Sequence, residues 1–184
     1  SSKSYDAPKE IAMKEGEYIP KSDFFNEFFD TFHFTSDNEA RSFSSFTDSL
    51  GVTHTRYKQY YKNVEIADVQ YILHDKAGMV YHAHGNFIRG IKLDVNPSLT
   101  EEQAIDAALK ELNLTNDQHA TIIKKKGNVT YSSQLMIVCS NQSYSPENLL
   151  LVYRCSVFSK IPFVNYYVDI DANNGRIVKK IPRM

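Results

Sequence analysis

Thr53-His54-Thr55-Arg56-Tyr57-Lys58-Gln59-Tyr60-Tyr61-Lys62 sets the architecture. Thr55, Tyr57, Gln59 and Tyr61 alternate with Arg56, Lys58 and Tyr60, so one side of the segment differs from the other at a period of two. That period, in a stretch rich in aromatic and β-branched residues, is the signature of a strand. A second strand is expected over 65–74 and a third over 79–88, joined by the turn Asp75-Lys76-Ala77-Gly78. Together they make an antiparallel meander over 52–93.

Upstream the spacing changes. Ser22 reads as a helix N-cap, with Asp23 in the first turn. Phe24, Phe25, Phe28, Phe29 and Phe32 then fall on one helical face, which reads as a core-facing stripe before a partner-binding one. Ser36 and Glu39 have the spacing of a capping box. Ala40, Phe43, Phe46 and Leu50 would be the buried side of a second helix that Gly51 ends. Residues 1–20 are polar without a clean period and read as a flexible lead.

Downstream, Pro97 interrupts the chain. Thr100 and Gln103 form another capping box, and Glu101 and Glu102 suit the positive end of a helix dipole. Ala104, Ile105, Ala108, Leu109 and Leu112 supply the buried stripe of that helix. Strands are expected over 121–123, 131–139, 149–158, 163–170 and 176–181, with turns over 141–148 and 171–175. The layout is α+β: two small units, each a helix packed on an antiparallel sheet. Residues 21–96 form the first unit and 97–184 the second.

The chain has 184 residues, 42% apolar and 23% charged, which is a globular composition. A formal net charge of −1 argues against non-specific nucleic-acid binding, which excess positive charge drives. No apolar run approaches the roughly 18 residues of a membrane span. The chain starts at Ser1 without a signal-peptide pattern, which reads as a trimmed or excised product. Asn113, Asn128 and Asn141 each begin an N-x-Ser/Thr sequon.

The motifs of zinc peptidases, phosphate-binding loops, dinucleotide folds and serine hydrolases are all missing. His82 and His84 would share one face of a strand, as two metal ligands could, but packing on a half-buried sheet is the simpler reading. If 75–78 closes a simple hairpin, His82 faces Tyr71, His84 faces Val69, and His74 points the other way. Asp169-Ile170-Asp171-Ala172-Asn173 opens like a calcium loop, yet Asn174 and Lys180 stand where Gly and Glu are needed. A hairpin turn fits better. Cys139 and Cys155 lie on a hairpin at heights that disfavour a disulfide, and neither has an oriented base for catalysis. Lys124-Lys125-Lys126 reads as a solvated strand end. No enzyme, cofactor or metal follows from these residues.

The segment 53–62 resembles the His-x-Arg-x-x-Gln-x-Tyr strand of the fungalysin/thermolysin propeptide (FTP) domain, through His54, Arg56, Gln59 and Tyr61. Tyr71-Ile72-Leu73-His74 with Gly78 is similar to the next strand and turn. Gly85-Asn86-Phe87 is similar to the family's Gly-Asn element. Pro97-Ser98-Leu99-Thr100 through Ala104 resembles the junction into a following PepSY domain. Leu150-Leu151-Val152-Tyr153 and 167–178 resemble PepSY strands. Asn63 stands where the family usually has Gly, and Glu65-Ile66-Ala67-Asp68 replaces Pro-Val-x-Gly.

The resemblance implies an FTP-like unit followed by a PepSY/cystatin-like one. It implies the pro-segment of a secreted thermolysin-like zinc metallopeptidase, partner and inhibitor of the catalytic domain and an aid to its folding. Ile181, Pro182, Arg183 and Met184 would be the cleft-proximal end. His54, Arg56, Gln59, Tyr61, Gly85 and Asn86 would have structural roles. A free-standing secreted peptidase inhibitor, or a PepSY-type binding module without a peptidase partner, is the alternative.

Overall fold

The computed structural model describes residues 7–114, 129–141 and 143–184. The strand expected over 121–123, the run Lys124-Lys125-Lys126 and the sequon asparagine Asn128 lie outside them. The fold is mixed α+β, mostly strands with few helices. It divides into two compact units, 1–92 with 141–149, and 93–140 with 150–184.

In the first unit, β1 (Glu10–Ala12) and β2 (Ile19–Pro20) come from the segment expected to be a flexible lead. Both pair antiparallel with the strand Met79–Gly85, so backbone hydrogen bonds hold the lead to the sheet edge. A turn of 3-10 helix (Lys21–Asp23) leads into α1 (Phe24–Glu27), which stops after one turn. The expected helix over 22–32 is therefore cut short, and a loop carries the later phenylalanines. Phe24, Phe32 and Phe34 are buried all the same, packed with Tyr71, Leu73, Val80, Ala83 and Phe87.

β3 (Asn38–Thr47) replaces the second expected helix. It pairs antiparallel with β4 (Val52–Tyr61), which pairs with β5 (Val64–Lys76), which pairs with β6 (Met79–Gly85). The meander read from the sequence is present, extended by one strand at its front. Among the described residues no long helix covers this sheet, contrary to the expectation. Aromatic side chains on a turn and a loop do that work, edge to face at ring separations such as 5.0 Å for Phe32–Tyr71.

In the second unit, α2 (Glu101–Glu111) starts at the expected N-cap. Gln103 N donates to Thr100 Oγ1, and Thr100 N donates to Gln103 Oε1. Ala104, Ala108 and Leu109 are fully buried against Cys155, Val157, Val168 and Ile170. The strands β7 (Val129–Cys139), β8 (Leu149–Lys160), β9 (Phe163–Asp171) and β10 (Ile177–Pro182) lie in that order in the sheet. Arg154 grips Asp169 with two hydrogen bonds of 2.8 and 2.9 Å at an almost fully buried carboxylate.

Candidate functional site

Gln59 is fully buried at the point where β4 slips register against β5. Its Nε2 donates to Ile88 O at 2.7 Å and its Oε1 accepts from Ile88 N at 2.8 Å. The amide thus acts as a strand rung, pairing a stretch of chain that has left the sheet. Tyr61, also buried, closes the same strand. Arg56 is exposed and donates to Gln70 Oε1 at 3.2 Å.

Gly85 is the last residue of β6, paired with Tyr71 of β5. A Cβ there would sit 2.2 Å from Gln70 O and 2.7 Å from Tyr71 Cα, both backbone atoms. Asn86 continues the pairing with its side chain. Its Oδ1 accepts from Gln70 N at 2.8 Å, and its Nδ2 donates to Asp68 O at 3.2 Å. The two departures from the family pattern fall on left-handed backbone, with φ of 66° at Asn63 and 62° at Asp68. Asn and Asp are the non-glycine residues that tolerate it best, so both bends survive.

The carboxyl-terminal residues are held rather than free. Ile181 and Pro182 pair with Tyr167 and Tyr166 on β9. Arg183 N donates to Asn165 O, its Nη1 donates to Ser156 Oγ at 2.6 Å, and its guanidinium lies 4.6 Å from the Tyr167 ring centre. Met184 is fully exposed.

The histidines differ from the simple-hairpin expectation. The turn after β5 has two residues, Ala77 and Gly78, both at positive φ, so Lys76 pairs with Met79. A bulge then shifts the register between Asp75–Val80 and His74–His82. That one extra residue turns His74 onto the face of His82 and His84, which pair with His74 and Ile72 rather than with Tyr71 and Val69. His54 joins them across β4, its Nδ1 2.6 Å from the Nδ1 of His74. Burial, reinforced by the neighbouring imidazoles and Arg56, pulls His74 down to about 4. Asp48 lies below the usual carboxylate range because His54 Nε2 bonds it at 3.0 Å. Among the described residues no three His, Cys, Asp or Glu side chains are arranged to hold a metal ion. The sequence shows the four histidines; the bulge that gathers them has no glycine or proline to mark it.

Asp169 faces Arg154, and Asp171 Oδ1 caps the turn by accepting from Asn173 N and Asn174 N. This is the hairpin turn, with both carboxylates already engaged. Cys139 is half-buried and Cys155 buried, and burial pushes Cys155 up to about 12, so it is inert as a nucleophile near neutral pH. Phe25, Phe29, Phe34 and Tyr57 line an open cleft of about 390 Å³, with Lys21 and Glu39 also in its wall.

Residues 38–87 match the family described as the Fungalysin/Thermolysin Propeptide Motif. The match runs from β3 to the Gly-Asn element. No curated protein matches the chain. Among solved structures it is similar to the Bacillus megaterium YpeB C-terminal domain. The identity is 15%, over 95% of this chain and 69% of that one, with a TM-score of 0.42. It is also similar to a putative lipoprotein from Clostridium difficile 630, at 18% identity, over 92% of this chain and 97% of that one, with a TM-score of 0.32. Among the described residues no helix is long and apolar enough to cross a membrane.

Proposed function

We propose that this chain is a pro-segment of a secreted thermolysin-like zinc metallopeptidase, and that it assists folding of the catalytic domain and inhibits it. The observation that carries the reading is the propeptide motif over 38–87. Its distinguishing residues (Gln59, Gly85 and Asn86) each support the sheet in this chain. A segment whose motif builds a rigid scaffold acts by presenting a surface, not by chemistry of its own.

Residues 97–184 are the PepSY-like unit in this reading. Ile181, Pro182, Arg183 and Met184 are its cleft-proximal end, with Met184 as the first residue beyond the anchored strand. Folding assistance follows from binding the folded partner more tightly than its unfolded state. The reading is tested by the source gene downstream of the codon for Met184. It expects an in-frame domain with His-Glu-x-x-His; a stop codon directly after Met184 overturns the pro-segment role.

A further inference from the structure

Four of the six histidines meet on one face of β4, β5 and β6, opposite the aromatic core. His74 is at the centre. Its ring centre is 4.8 Å from that of His54, 5.3 Å from His82 and 5.1 Å from His84. The charged groups around it are few. Asp48, in the turn between β3 and β4, bonds His54 Nε2 at 3.0 Å. Glu10 on β1 bonds His82 Nε2 at 2.8 Å. Arg56 on β4 adds a fixed positive charge near His74. Phe46 on β3 stacks on His54 at 5.2 Å and brings no charge. Both carboxylates therefore serve the edge of the cluster, and none serves its centre.

The contacts dictate where protons can go. Two Nδ1 atoms 2.6 Å apart need one proton between them. With His54 Nε2–H donating to Asp48, His54 Nδ1 accepts and His74 Nδ1–H donates. Protonating His74 gives both of its ring nitrogens an N–H. It also places a cation among three imidazoles and Arg56.

We propose that this four-histidine cluster is an acid-sensitive latch in the first unit, closed while His74 is neutral and opened in mild acid by release of β5 from β4 and β6. The folded value of about 4 lies below the ordinary 6.5. The opened chain therefore binds a proton over that window and the closed chain does not. The stability contributed by the neutral ring is complete above pH 6.5, is lost progressively as the pH falls, and reaches its floor near 4. Asp48 bonds His54 and Glu10 bonds His82, so the latch turns on His74. The inference concerns the sheet alone and holds whatever partner the chain takes.

The test is amide hydrogen exchange of the full chain at pH 7 and pH 5, corrected for intrinsic exchange rates. Allowing for the partial exposure of the cluster, the opening equilibrium of β5 and β6 amides is expected to rise about tenfold more than that of β8 to β10. His74→Phe keeps a ring in the stack and removes the base, and is expected to abolish the excess. An equal rise in all strands, or a full excess in His74→Phe, overturns the latch. Should that variant not fold, the imidazole resonances of the wild-type chain decide. His74 titrating well below the other three supports the latch; all four titrating together near 6.5 contradicts it.

Discussion

Gln59 shows how much one side chain can hold. Its amide satisfies both backbone groups of Ile88 in a dry environment. In Gln59→Leu a buried N–H and a buried C=O lose their partners, and stability is expected to fall by about 2–4 kcal/mol. The urea midpoint should drop with its slope unchanged, whereas a loss under about 1 kcal/mol would mean that Ile88 finds other partners. Gly85→Ala acts by exclusion instead. Its Cβ would overlap backbone atoms of Gln70 and Tyr71, which no rotamer change can relieve. The end of the β5–β6 pairing must separate, at an expected cost of about 1–3 kcal/mol or more in thermal or urea unfolding. The resemblance marked both residues from sequence, but their tasks needed the structure, because Ile88 and Gln70 are distant in the chain.

At the scale of elements, local signals succeeded where nothing competed with them. The Thr100 capping box starts α2, and the helix buries the alanines and leucine that its period specifies. Thr100→Ala is expected to lower stability by about 1 kcal/mol and to fray the first turn, seen as faster amide exchange at Gln103. The Ser36–Glu39 pattern failed, although it has the same spacing. Asn38–Thr47 found a partner along its length in β4, and a ladder of backbone hydrogen bonds, interrupted once by the bulge between Ser42 and Ser44, outweighs a cap worth about 1 kcal/mol. The outcome is visible in Phe43 and Phe46, which the helical reading buried and which are 49% and 62% exposed. The phenylalanine stripe failed for a related reason. Phe24 reaches the core from the single turn of α1 and Phe32 from the turns after it, while Phe29 is exposed, so burial was read in part and helix length was not. The histidine face was misread by one residue, because a bulge inverts the side-chain order without changing the composition.

For the whole molecule, the α+β class and the meander could be read from periodicity, while the strand-rich balance depended on pairings between distant segments. The proposed function rests on the match over 38–87, a signal spread along several strands rather than gathered in one cluster of side chains. A pro-segment is defined by what it does to a partner, so the partner must be in the assay. The most direct measurement takes the metallopeptidase domain that the proposal expects to be encoded with this chain, refolds it from denaturant with and without the chain added in trans, and then titrates the chain against the active enzyme. Recovery of active peptidase that depends on the chain, together with inhibition of the mature enzyme, is the expected result. Equal recovery in both conditions, with activity unchanged by excess chain, would contradict the pro-segment reading.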